Sequence, residues 1–225
     1  MAGEGGRVIL EGLVVGMFQS NCYIAGSEAT REALVVDPGD EAERIIATLQ
    51  RLDLEAKLIV VTHTHVDHVA ALQAVRDGTG ASVAMHRDAY ESSKGDSGLM
   101  RMLLGASAPP LGEPDLFVED GDKLQVSDLE FEVLFCPGHA YGHICLVGQG
   151  VVFTGDALFA GGIGRFDLPG GDGKLLLASI REKLLTLPDE TIVLAGHGPS
   201  STIGEEKRGN PFLLYPRMHM GIDPD

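Results

Sequence analysis

The apolar positions along the chain repeat with two periods, and the changes of period mark out its elements. Val8–Val15, Asn21–Ala25 and Ala33–Asp37 are short runs that predict three strands. Over Asp40–Leu52 the period becomes helical. Ile45, Ile46, Leu49 and Leu52 share one face, Asp40 is placed to cap the helix, and Glu43 follows it as in a capping box. Leu58–Thr62 is a mostly apolar run of the kind buried on both sides of a sheet, and from Asp67 a second helical register carries Val69, Leu72 and Val75. Glu91–Pro114 is rich in Gly, Ser and Pro around Met100–Leu104, which predicts an irregular excursion and a candidate lid. Five strands are then expected in succession, at Leu116–Val118, Leu124–Val126, Glu130–Phe135, Ile144–Val147 and Val151–Thr154. Lys174–Leu187 predicts a helix with an apolar stripe of Leu176, Leu177, Ile180, Leu184 and Leu187, and Thr191–Ala195 a last buried strand. Strands and helices interleave, yet several strands follow one another directly. This pattern predicts an α/β domain with mixed sheets rather than a pure βαβ winding.

Composition narrows the class. At 225 residues with 44% hydrophobic and 5% aromatic content, the chain can build a sizeable, mostly aliphatic core. The net charge is -16, from 33 acidic against 17 basic residues, which argues against nucleic acid or an anionic membrane as a partner. No window reaches the ~18 consecutive apolar residues of a membrane helix. Met1–Arg7 contains Glu4 and no apolar run, so it does not read as a secretory signal. Three cysteines, Cys22, Cys136 and Cys145, are an odd number without zinc-ribbon spacing and read as packing residues of a cytoplasmic protein.

The chemistry concentrates at Thr62-His63-Thr64-His65-Val66-Asp67-His68, directly after the expected buried strand and at the opening of a helix. Alternation puts His63 and His65 on one side, where two imidazoles can converge on one ion. Asp67 and His68 enter the following turn and can reach a second. His139, Asp156 and His197 each follow a glycine just past an expected strand, a context that presents side chains from strand ends. These donors are nitrogen and oxygen, which suits two divalent ions, with zinc expected and iron or manganese also admitted.

The order HxHxDH, PGH, GD and GH resembles the metallo-β-lactamase superfamily, and within it the glyoxalase II (hydroxyacylglutathione hydrolase) branch in its short bacterial form. Asn21-Cys22-Tyr23, Val36-Asp37-Pro38-Gly39, Gly155-Asp156-Ala157-Leu158-Phe159, Gly164–Asp172 and Gly196-His197-Gly198-Pro199 extend the resemblance across most of the chain. It implies a four-layer αββα sandwich of two mixed β-sheets flanked by helices. Residues 1–225 would form a single domain, without the C-terminal helical extension of longer members. It further implies that His63, His65 and His139 hold one ion, that Asp67, His68 and His197 hold the second, and that Asp156 bridges them. Asp37 would steady the site, His143 would orient a ligand or line the pocket, and Arg165 would pair with a substrate carboxylate. Asp67 and Asp156 would take part in catalysis.

The implied reaction is hydrolysis of a small-molecule thioester, S-lactoylglutathione or a related S-acylglutathione, by a metal-bridging hydroxide. Two departures weigh on the thiol side: Asp167 and Pro199 occupy positions where the branch usually carries Tyr. The alternative on the same scaffold is a mononuclear iron persulfide dioxygenase.

Overall fold

The computed structural model describes residues 7–95 and 111–222. Six strands form the first sheet in the order β1 (Val8–Val15), β2 (Ser20–Ser27), β3 (Glu32–Val36), β4 (Glu55–Val60), β5 (Ser82–Met85) and β6 (Leu116–Phe117). The first three are antiparallel neighbours, whereas β3, β4, β5 and β6 pair in parallel. The second sheet runs β14 (Ser201–Thr202), β13 (Ile192–Ala195), β10 (Val151–Gly155), β9 (Ile144–Gly148), β8 (Leu129–Phe135) and β7 (Lys123–Val126). Only β10 and β13 are parallel there. A two-stranded hairpin, β11 (Leu158–Phe159) and β12 (Gly162–Ile163), stands beside them.

Side-chain alternation explains the layers. Along β4, Leu58 and Val60 point between the two sheets and meet Phe131, Val133, Leu146 and Phe153 of the second. Ile59 and Val61 point the other way and pack with Ile45 and Leu49 of α1 (Ala42–Arg51) and Leu72 and Val75 of α3 (Leu72–Thr79). On the far side, Val152 and Val193 bury against Leu176, Leu177, Ile180 and Leu184. Helix, sheet, sheet and helix thus stack as the expected αββα sandwich of mixed sheets.

Several boundaries differ from the sequence reading for local reasons. Asp40 does not cap α1. Its carboxylate accepts from the Glu41 N–H at 2.6 Å, and Glu41, left-handed with φ 52°, occupies the cap without a side-chain bond. The helix expected from Asp67 is broken into α2 (Val66–Val69) and α3, because the Asp67 carbonyl accepts from Ser20 Oγ at 2.7 Å while the Ala71 N–H turns to the Pro38 carbonyl. The helix over Lys174–Leu187 divides into α5 (Gly173–Ser179), capped by Asp172, and a π turn at Ile180–Leu184 that keeps both of its end residues buried. Of the expected lid, the first residues complete α4 (Arg87–Gly95), and 96–110 lie outside the described residues. Three short helices not anticipated from the sequence follow β14: α6 (Ile203–Gly209), α7 (Pro211–Leu214) and α8 (Pro216–Met220). Among the described residues no helix is long and apolar enough to cross a membrane.

Candidate metal centre

The residues singled out from the sequence meet at one end of the sandwich. His63 and His65 leave the end of β4, and Asp67 and His68 ride on the single turn of α2. His139 follows β8, Asp156 follows β10 and His197 follows β13, so the first sheet supplies one half of the cluster and the second sheet the other. The Asn21 amide N–H donates to the Gly196 carbonyl, Asn21 Nδ2 donates to the Ala195 and Gly198 carbonyls at 2.9 Å each, and the Tyr23 hydroxyl donates to Ala195 at 2.8 Å. The loop carrying His197 is thereby pinned to β2 across the sheets. These clasps, with Thr62, were missed as site-building residues. Their signal was polar side chains at positions that a strand must bury.

Hydrogen bonding fixes which ring nitrogens remain free. Thr62 Oγ donates to Asp37 at 2.6 Å, so its lone pair accepts from His63 Nδ1 at 3.0 Å and leaves His63 Nε2 bare. His139 Nδ1 donates to the Arg165 carbonyl at 2.8 Å, leaving its Nε2 bare as well. Both bare nitrogens face His65 Nδ1, at 3.0 and 2.9 Å. Three ring nitrogens with at most one proton among them cannot satisfy one another. A cation among them can.

The second group has the same character. His68 Nδ1 lies 3.0 Å from Asp37, which directs Nε2 inward, where neither it nor Asp156 Oδ1 has a hydrogen-bond partner although both are buried and 3.4 Å apart. Asp156 Oδ2 stands 3.6 Å from both His139 Nε2 and His197 Nε2, between the two groups, and His197 Nε2 lies 3.1 Å from Asp67. Donor sets therefore close at His63, His65, His139 and Asp156, and at Asp67, His68 and His197, each within 4.8 Å. Asp37, His63 and His68 also cluster, but their shared atoms are already joined through Thr62 and Asp37, so this grouping is a hydrogen-bond network.

Electrostatics agree. Burial pushes the His63 and His143 imidazoles well down and His65 down to about 4, and neighbouring histidines push the same way. These rings are neutral and present lone pairs. Burial opposes charge on His68 too, but Asp156 and Asp37 outweigh it and draw the ring well up. Burial likewise opposes ionisation of Asp156, yet His68, His139 and His197 hold its carboxyl below the usual range. The cluster thus attracts positive charge at its centre.

The supporting residues take distinct places. Asp37 accepts from the Thr62 N–H at 2.7 Å as well as from its hydroxyl, holding the strand end that bears His63. His143 Nε2 accepts from the Asp156 N–H at 3.1 Å, so it holds the backbone of a cluster residue. Arg165 lies at the exposed rim. Its carbonyl is tied to His139, but its guanidinium turns to Asp167. His86 stacks on Phe135, and His219 meets Phe212 at a tilt, so neither joins the cluster. The free cysteines are all buried.

A sandwich of this architecture with such a His/Asp cluster defines a class, and the chain belongs to it: residues 15–197 match the metallo-beta-lactamase superfamily model. The chain is a metallo-hydrolase of that superfamily, and its buried clusters fit a binuclear site. It is 40% identical to the hydroxyacylglutathione hydrolase GloC of Haemophilus influenzae over 91% of this chain and 97% of that one. Among solved structures it resembles the BLEG-1 B3 metallo-beta-lactamase, with TM-score 0.84, 38% identity, 91% of this chain and 99% of that chain covered. It also resembles TTHA1623 in a di-iron-bound form, with TM-score 0.81, 37% identity, and 90% and 100% covered.

Proposed function

We propose that this protein hydrolyses a thioester, of the S-lactoylglutathione or related S-acylglutathione type, with two divalent ions, zinc being the expected metal. The observation that carries the metal dependence is the set of bare, mutually facing ring nitrogens beside the partnerless Asp156 oxygen. In this reading His63, His65 and His139 hold one ion, Asp67, His68 and His197 the other, and Asp156 lies between them. Once bound, such a pair supplies a water of lowered pKa and a Lewis acid for a carbonyl oxygen.

The chain's own groups do the rest. The carboxylates of Asp67 and Asp156, both held ionised, accept hydrogens from the attacking water and orient it. His143 and Asp37 keep Asp156 and His68 from turning away. A thiolate leaves without prior protonation, so the site needs no separate general acid, and no Ser or Cys nucleophile is required. The buried, unpaired cysteines fit a reducing cytoplasm. Similarity to GloC supports the thioester, whereas similarity to BLEG-1 makes a β-lactam the substrate class to test beside it.

The test is S-D-lactoylglutathione hydrolysis by the metal-loaded protein. His65→Ala serves as control, with β-lactam hydrolysis and oxygen uptake on glutathione persulfide measured in parallel. Thioester loss that falls to background in His65→Ala is the expected result. Oxygen uptake without thioester loss, or β-lactam hydrolysis alone, overturns the reading.

A further inference from the structure

The rim of the cluster carries a charge arrangement that the hydrolase reading leaves unused. β12 runs into Gly164, where an added Cβ would overlap the Asp156 carbonyl and approach His139 Nδ1 to 2.8 Å, so the backbone is pressed against the cluster. One residue on, the Arg165 carbonyl accepts from His139. The rim is thus fixed to a cluster histidine, and the Arg165 side chain starts from a defined point beside it.

That side chain is already engaged. Nε and Nη2 of Arg165 donate to the two oxygens of Asp167 at 2.8 and 2.9 Å, a two-pronged pairing that uses the edge a substrate carboxylate would take. Both side chains are more than half exposed, at 58% and 65%, so the pair sits at the surface rather than in the core. Phe166 between them turns inward and packs with the apolar layer around Leu176 and Leu177, which leaves residues 165 and 167 on the same outer side. Two aromatic rings also stand on this side: the exposed Tyr141 ring lies beside Gly170, and Phe159 stands 6.1 Å from His197. Beyond the rim, the chain's net charge of -16 adds a field that repels anions.

We propose that Asp167 is a specificity-determining residue that cancels the anion-binding capacity of Arg165 and turns the site toward thioesters whose thiol carrier is neutral or cationic near the sulfur. This rests on the thioesterase reading above and narrows its thiol side. Asp167 acts by competition, since an anionic carrier must displace a carboxylate already held by the guanidinium. A neutral carrier meets no such rival, and a cationic one gains from the Asp167 oxygens.

The test compares kcat/KM for three S-lactoyl thioesters with the same acyl group, carried on 3-mercaptopropionate (anionic), N-acetylcysteamine (neutral) and thiocholine (cationic). The wild-type protein should favour the last two. In Asp167→Asn the anionic-to-neutral ratio should rise about fivefold, as expected for release of an exposed ion pair, and the cationic-to-neutral ratio should fall. Arg165→Ala added to Asp167→Asn should erase the gain for the anionic carrier. Hydrolysis of all three with ratios unmoved by Asp167→Asn overturns the proposal and leaves the thioesterase reading standing. No hydrolysis of any of them while S-D-lactoylglutathione is hydrolysed overturns the proposal alone, and no hydrolysis of any, S-D-lactoylglutathione included, overturns both.

Discussion

Both oxygens of Asp37 are engaged by donors that matter elsewhere. They hold Thr62 through its N–H and hydroxyl and face His68 Nδ1, all within a site where Asp37 is 2% exposed. Asp37→Ala strips these buried donors of their acceptor, and the expected loss is about 3 kcal/mol of stability, read from the urea midpoint at constant slope. Metal affinity should fall about 10- to 100-fold, read as metal retained after dialysis, because His63 and His68 lose their orientation together. Asp37→Asn separates charge from shape. Its backbone has φ 50°, which Asn tolerates, so fold stability should recover more than metal affinity. Equal retention of metal in all three proteins would show that Asp37 supports the fold alone. Asp37 could be singled out from the turn Val36-Asp37-Pro38-Gly39 because the motif is local. Its partners were not, because Thr62 offers no sign in one dimension that its hydroxyl will relay between a carboxylate and an imidazole.

Elements meet at the cluster so closely that glycine is required at the crossing. At Gly39 an added Cβ would overlap the Asp67 carbonyl and come within 2.7 Å of Ser20 Oγ, so the loop after β3 and the turn of α2 touch backbone to backbone. Gly39→Ala should cost about 2–3 kcal/mol, as for other overpacked sites, and should displace Asp67 enough to lower metal retention. Gly80→Ala is the control: its backbone is left-handed with φ +72 but open space surrounds it, so about 1 kcal/mol is lost with metal retention unchanged. Loss of metal in both variants, or in neither, would contradict a local effect at α2. The same crossing explains an unread boundary. Hydrophobic register carried the helix from Asp67 through Val75, but Ser20 and Pro38, distant in sequence, take the backbone groups that would have continued it. Elsewhere the missed signal was local. Thr202 and Glu205 form a reciprocal capping box that opens α6, and the pattern Thr-x-x-Glu was present to be read.

At the scale of the molecule, the cluster joins halves that hydrophobic layers hold only through their shared middle. His63, His65, Asp67 and His68 belong to the first sheet's end and His139, Asp156 and His197 to the second's, so an ion bound by both sets must be released before the sheets separate. The dense run His63–His68 and the strand-then-glycine context of His139, Asp156 and His197 made these candidates legible, but convergence of two sheets on one point is a property of the fold and not of any segment. Binding to the native state alone therefore stabilises the whole chain. One ion at a hundred times its Kd contributes about 2.7 kcal/mol, which at this chain length corresponds to a rise in Tm of about 5–10 °C. Calorimetry with and without a chelator should show that difference, and re-addition of metal should restore it. His139→Ala should shrink the chelator effect, because His139 ties the second sheet to the group containing His63 and His65. Lys123→Ala, on a solvent-facing pair with Glu130 at the outer edge of the second sheet, should leave the effect intact. A Tm that ignores the chelator in the wild-type protein would mean that the bare nitrogens hold no ion, and the hydrolytic reading would lose its footing with them.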